Sequence, residues 1–200
     1  GSNIATDFNR GTRNTYYLDL ARQAALKAIE GPYSLLDNYG DLFAYQTANN
    51  NSESLFQLQW LTGSTDAIGW GCNNAMQAFF AWSTMVGETN WGNATYASYD
   101  LVREYDPQDR IRRHNTICTV GEYYSELNSK NGGYTYNVTE SGYDNKCNIK
   151  KHVIGKIDDN GQSYQQSSGV NTYMMRLAEV YLNLAEAILG NNASTTDETA

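Results

Sequence analysis

The sequence predicts a chain framed by two helices, with a long irregular middle carrying a few short strands. Three observations lead there. Residues 173–189 run seventeen positions without Gly or Pro and are rich in Leu, Ala, Met and Glu, which suits a helix of more than about four turns. Residues 15–30 alternate apolar and polar side chains at helical spacing. Between them, residues 61–172 are crowded with Gly, Asn, Ser and Tyr and show no long periodic run.

In the later helix Arg176, Glu179, Asn183 and Glu186 fall in one narrow stripe, and apolar side chains cover the rest. Such a helix is predicted to be buried nearly all round. The stripe could hold catalytic carboxylates, but a local pair such as Arg176 with Glu179 at i,i+3 is the favoured reading. Ala178 and Ala185 are small enough to admit a neighbouring helix, and Gly190-Asn191-Asn192 is a stop signal. In the earlier helix Asp19, Arg22, Gln23, Lys27 and Glu30 share one face, while Tyr17, Leu18, Ala21, Ala24, Ala25, Ala28 and Ile29 line the other. Asn14 or Thr15 can cap its start, and Gly31-Pro32 ends it.

Further along, Leu55–Trp60 alternates partly like a short strand, with Asn51 and Glu53 fixing the turn before it by local hydrogen bonds. Residues 98–113 read as a short helix followed by a charged turn, where Asp109 and Arg110 can pair or brace loop carbonyls. Residues 150–155 read as a brief strand, and Asp158-Asp159-Asn160-Gly161 as a turn without the oxygen ligands of a calcium loop.

The formal charge of −8 argues against nucleic acid and against an anionic membrane surface. Sixteen Tyr and four Trp against fourteen Lys plus Arg make a surface suited to stacking and hydrogen-bonding neutral polar ligands; a Tyr- and Asn-rich exported protein with long loops would look the same. No segment approaches the roughly 20 apolar residues of a spanning helix. Cys72, Cys118 and Cys147 are widely spaced, which leaves zinc without a ligand set and allows one disulfide at most, with Cys118–Cys147 a possible pair.

Candidate ligand residues sit in the aromatic loops. Trp70 lies between two glycines beside Asn73, and Trp91 precedes another glycine, with Tyr96 close behind. Flat aromatic faces suit the C–H faces of pyranose rings, with amides beside them for hydroxyls. Two roles stay open for Trp70 and Trp91, ligand platform or loop packing. Trp82 lies in the apolar run Met76–Trp82, which favours the core, and completes the candidate set of Trp70, Asn73, Trp82, Trp91 and Tyr96.

The run Met175–Ala187 closely resembles the signature helix of the SusD/RagB family. The resemblance keeps its order through the Tyr33–Phe43 stretch, through Asn51-Ser52-Glu53-Ser54-Leu55-Phe56, and through the helix and Asp-Arg corner of residues 98–113. It departs before the signature helix, where the family's Lys-Tyr strand meets Lys151 or His152. The alanine-rich helix ending at Gly31-Pro32 also resembles the second helix of a tetratricopeptide (TPR) unit, although no period near about 34 residues recurs.

The resemblance implies a mainly α, SusD-like fold with TPR-like helix pairs and long loops. It implies one partial domain over 1–200: a helix and strand at 15–60, a ligand-facing excursion at 61–172, and the buried helix at 173–189. It further implies a non-catalytic lipoprotein on the outer face of the outer membrane, held by an N-terminal lipid anchor absent from this chain. The expected partners are an oligosaccharide and a SusC-like TonB-dependent transporter, with no cofactor. Family members are usually much longer, so an internal portion is expected. The competing expectation is a TPR-like protein-interaction scaffold without direct glycan binding. An enzyme is not expected: the sequence has no G-x-S-x-G, no metal-binding pair of histidines and no phosphate-cradling glycine loop followed by Lys. His114 beside the basic cluster lacks a nucleophile or metal-ligand partner nearby in the sequence.

Overall fold

The computed structural model describes residues 12–61, 74–86, 95–137, 146–155, 163–164, 167–192 and 196–197. In chain order these form helix α1 (Thr15–Ile29), a 3-10 turn (Tyr39–Leu42), α2 (Tyr45–Ala48), strand β1 (Ser54–Leu58), α3 (Met76–Phe80) and α4 (Ser83–Val86). Then come β2 (Tyr96–Ser98), α5 (Tyr99–Glu104), α6 (Arg110–Thr116), β3 (Tyr123–Tyr124), a second 3-10 turn (Ser129–Asn131), β4 (Tyr134–Thr135) and β5 (Lys146–Asn148). The last are β6 (Ser163–Tyr164), β7 (Ser167–Ser168), β8 (Thr172–Arg176) and α7 (Leu177–Leu189). The fold is mainly helical, and its short strands occur as two-stranded pairs. The chain divides into two compact units. One holds Gly1–Leu35, Ser52–Phe56 and Tyr173–Ala200; the other holds Leu36–Asn51 and Gln57–Thr172.

The first unit is built on α1 and α7. Asn14 caps α1 by accepting the Tyr16 N–H at 3.0 Å, satisfying one of the orphan donors of the first turn. Ala25 packs with Leu177, Val180 and Leu184, flanked by Leu26, Ile29, Leu55 and Ile188. The Arg13 backbone and the Asn191 side chain exchange hydrogen bonds at 2.7 and 3.1 Å, and Arg13 pairs with Glu186 at 3.0 Å. These ties join the start of α1 to the end of α7, so the two helices run antiparallel. Gly190 ends α7 at φ +59°, a conformation L side chains avoid.

Three expectations for the later helix change. It begins at Leu177, because residues 173–176 belong to β8 and pair with β1. The Leu177 N–H then donates to the Glu53 carbonyl at 2.9 Å. Arg176 consequently lies outside the helix and bonds Glu53 Oε1 at 2.5 Å in place of Glu179. Glu53, 3 % exposed, therefore makes a long-range contact in addition to shaping its turn, whereas Asn51 acts locally by donating to the Ala48 carbonyl. Nor is α7 covered all round: Leu177, Val180 and Leu184 are buried, while Tyr181 and Leu182 are exposed.

The second unit has its own core of Ala81, Met85, Val86, Cys118, Tyr124, Leu127, Tyr134, Tyr136 and Val153. β2 and β5 pair antiparallel with Ala97 opposite Cys147, and Ile117 bridges Ile149. Cys118 and Cys147 are both free buried thiols, so the considered disulfide is not formed. Residues 150–155 turn instead of extending. The Lys150 and Lys151 N–H groups both reach the Thr116 carbonyl, Val153 N–H closes on Lys150, and His152 sits at φ +70°.

Buried amides hold this unit's loops. Asn74 Nδ2 donates to Val170 O at 2.7 Å. Gln77 donates to Gly155 O at 2.6 Å and accepts from Ile154 N at 2.9 Å. Asn171 accepts from Trp60 N at 3.2 Å and donates to Asn49 Oδ1 at 2.7 Å. All three are buried, and each supplies the partners that an irregular backbone would otherwise lack.

Candidate functional site

Of the sequence-predicted ligand residues, Trp82 and Tyr96 can be placed; Trp70, Asn73 and Trp91 lie outside the described residues. Trp82 directly precedes α4, its N–H facing Met85 Sδ at 3.4 Å. Tyr96 opens β2 opposite Asn148 of β5. The fold brings the two rings together at 6.5 Å between centroids, tilted by 53°. Both are half-buried, and Trp82 packs against the core as its apolar neighbours suggest. Its indole Nε1–H is nevertheless buried with no hydrogen-bond partner among the described residues, an arrangement that ordinarily costs about 1–3 kcal/mol.

Asn148 fixes the backbone beneath this pair. It is fully buried, accepts the Tyr136 hydroxyl at 2.9 Å and donates to the Phe80 carbonyl at 2.8 Å. Its own N–H reaches Tyr136 at 3.1 Å, and its carbonyl takes the Cys118 N–H at 2.8 Å. One side chain thus ties β5 to α3 and holds the strand on which Tyr96 is registered.

A concave region lies where α5 and α6 meet, a cavity of about 1030 Å³. The Asp106-Pro107 turn separates the helices, with Asp106 Oδ1 accepting the Gln108 N–H at 2.8 Å. Arg113 bonds Thr119 Oγ1 at 2.6 Å and Glu122 Oε1 at 2.5 Å. The other Glu122 oxygen accepts Tyr124 at 3.0 Å and faces His114 Nδ1 at 3.3 Å, and the His114 ring stacks on Tyr124 at 4.4 Å. Burial alone would raise the Glu122 pKa. Hydrogen bonds from Thr119 and Tyr124, with the Arg113 and His114 charges, outweigh it and hold the carboxyl below its ordinary range. A carboxyl kept ionised and fully hydrogen-bonded suits bracing rather than proton transfer, so His114 gains an orienting partner without a nucleophile. Of the two roles open to the Asp109-Arg110 corner, Arg110 takes the bracing one, its Nε reaching the Pro107 carbonyl at 3.4 Å, while Asp109 accepts Arg112 Nε at 2.6 Å.

Two further groups are perturbed by burial. The Cys118 thiol is pushed up to about 12, which makes it inert as a nucleophile. His152, beside the Phe43 and Phe80 rings, is pushed down to about 4 by burial and by Lys151, and its Nδ1 is buried without a partner among the described residues. Among the described residues no group of three or more His, Cys, Asp or Glu side chains could hold a metal ion, and no helix is long and apolar enough to cross a membrane.

The α5–α6 cavity was not picked out from sequence. The cluster Arg110-Ile111-Arg112-Arg113-His114 was visible, but Glu122 lies nine residues beyond Arg113, past any helical spacing.

Residues 34–200 match the SusD family, and the chain belongs to that family. It is 42 % identical over 194 residues to a SusD-like protein of Bacteroides ovatus, covering 94 % of this chain and 33 % of that protein. A crystal structure with xylogluco-oligosaccharide matches at 41 % identity and a TM-score of 0.80, over 94 % of this chain and 37 % of that one. A surface glycan-binding protein A from Bacteroides thetaiotaomicron, in complex with laminarihexaose, matches at 19 % identity and a TM-score of 0.66, over 92 % of this chain and 42 % of that one. The last shares the fold alone. The chain spans about a third of the length of the first two relatives.

Proposed function

We propose that this chain takes part in non-catalytic capture of an oligosaccharide at the cell surface and in its delivery to a SusC-like TonB-dependent outer-membrane transporter. The observation that carries the reading is family membership joined to a 41 % identical relative whose structure holds a xylogluco-oligosaccharide. The whole protein would be an outer-membrane lipoprotein facing the exterior, with residues 15–60 and 173–189 as scaffold and 61–172 facing the ligand. Trp70, Trp91, Asn73, Tyr96 and Trp82 are the proposed contacts. The reading is supported by the convergence of Trp82 and Tyr96 and by the indole N–H, unpartnered among the described residues, a donor that a sugar hydroxyl would satisfy after a small rotation of the ring.

A protein-facing scaffold is the second reading, favoured by a groove of about 400 Å³ lined by small residues of α1 and α7, Ala21, Ala24, Ala28 and Ala187 among them.

Isothermal titration with neutral oligosaccharides, xylogluco-oligosaccharides first, tests the proposal. Trp70→Ala, Trp91→Ala and Trp82→Phe are each expected to weaken binding about tenfold, the loss of roughly one stacking contact and one hydrogen bond. No heat with any oligosaccharide from a folded chain would leave the scaffold reading.

A further inference from the structure

The α5–α6 cavity combines an apolar wall with a cation that the protein leaves largely unused. Val102, Tyr105, Pro107 and Ile111 form the wall, and Ile111 is 62 % exposed. Three guanidinium groups line the same space, in different states. Arg113 is committed to Thr119 and Glu122. Arg103 shares an exposed pair with Asp100 at 3.1 Å and lies over the Tyr99 ring at 5.7 Å. Arg110 is exposed and among the described residues makes one long contact, from Nε to the Pro107 carbonyl, which leaves both of its terminal nitrogens without a partner there. On the acidic side, Glu122 is saturated by Arg113, His114 and Tyr124, which leaves Asp106 as the nearest counter-charge in the lining.

We propose that this cavity is a second saccharide subsite, selective for a sugar ring carrying a single carboxylate that Arg110 reads. The inference rests on the oligosaccharide reading for the class of ligand, and its own content is the charge. A pyranose offers C–H faces to the apolar wall, and a ring carboxylate offers the two coplanar oxygens that a guanidinium fork accepts. A neutral ring offers Arg110 single hydroxyl acceptors only, without the charge or the paired oxygens of a carboxylate, so the acid is the stronger partner. The chain's net charge of −8 sets the other limit, because a polyanion is repelled over its whole length whereas one carboxylate is repelled once. The ligand that meets both conditions is an oligosaccharide with an isolated uronate.

The test is isothermal titration of the folded chain with an aldobiouronic acid, its methyl ester, a hexose 6-phosphate and a neutral oligosaccharide. The acid is expected to bind about tenfold more tightly than the ester, as one charge-assisted fork would give. Arg110→Gln should abolish that preference with near-ultraviolet circular dichroism unchanged, and Arg110→Lys should keep part of it. Asp106→Asn should widen the preference about twofold, and raising salt from about 50 mM to about 500 mM should shrink it. Equal affinity for acid and ester overturns the proposal, as does a preference that survives Arg110→Gln or tighter binding of the phosphate. Neutral binding without any acid preference removes this inference and leaves the oligosaccharide reading standing. Acid preference without neutral binding supports this inference and narrows the captured oligosaccharide to acidic ones, and no binding of any of the four overturns both.

Discussion

The two units are held together by different physics. In the first, α1 and α7 meet through Ala25, Leu177, Val180 and Leu184, ordinary apolar packing between two helices. In the second, elements of two to seven residues are too short to stand by themselves, and buried Asn74, Gln77, Asn148 and Asn171 supply the missing backbone partners. The contrast teaches that an Asn-rich composition has two uses. Amides read as a surface for sugar hydroxyls also serve, facing inward, as the frame of the loops that would present such a surface.

The largest expected effect tests that claim directly. Asn148→Ala removes the side-chain acceptor of the Tyr136 hydroxyl and the side-chain donor to the Phe80 carbonyl and is expected to cost about 3 kcal/mol in chemical denaturation. Asn148→Leu should cost at least as much. If leucine restored stability, apolar packing would govern both units and the comparison would break.

Acid should separate the units further. His152 titrates at about 4 in place of 6.5, so the folded state binds fewer protons than the unfolded state between those values. Stability contributed by the neutral ring is complete above about pH 6.5 and falls as pH drops toward about 4, by roughly 3 kcal/mol. The depressed Glu122 has the same sign and adds its loss further down, in the carboxylate range. His152→Asn, which tolerates φ +70°, should flatten the slope above pH 4. A wild-type denaturation midpoint constant from pH 7 to pH 4 would contradict this.

In the first unit, Leu184→Ala removes a side chain only 2 % exposed and is expected to cost about 3 kcal/mol. Amide hydrogen exchange should show the loss first in α1 and α7. Glu53→Gln probes the charged tie that is most buried on its acidic side there. It should cost about 2 kcal/mol, because Arg176 keeps partial solvent access while its partner's charge is removed. The smallest effect is expected at Gly121, where φ is +87° but open space surrounds a new Cβ: Gly121→Ala should cost about 1 kcal/mol of backbone strain alone. A loss above twice that would reveal packing at this turn.

How legible each unit was follows the same division. The extent of α1 could be read from Asn14, Gly31 and the alternation between, since all three signals act within one turn of the chain. The start of α7 could not, since residues 173–176 fit a helix by composition and become strand only because β1, more than a hundred residues earlier, pairs with them. Among candidate ligand residues, Trp82 and Tyr96 were recognisable by type, and their proximity was not. The Arg113–Glu122–His114 cluster escaped altogether, because it joins a helix to a loop whose path no local spacing encodes.

The sequence by itself determined what depends on neighbours along the chain: two helices with their caps and stops, a short strand after Asn51-Ser52-Glu53, an acidic aromatic-rich composition and a family signature. Only the tertiary structure decided which Asn and Gln turn inward, that Arg176 answers Glu53 and not Glu179, that Cys118 and Cys147 stay reduced, and that Arg110 is left facing a cavity. The physical reason is common to all four. Helical periodicity and capping are set within a few residues, whereas hydrogen-bond partners and charge pairs are chosen by whichever distant backbone the fold brings within about 3 Å.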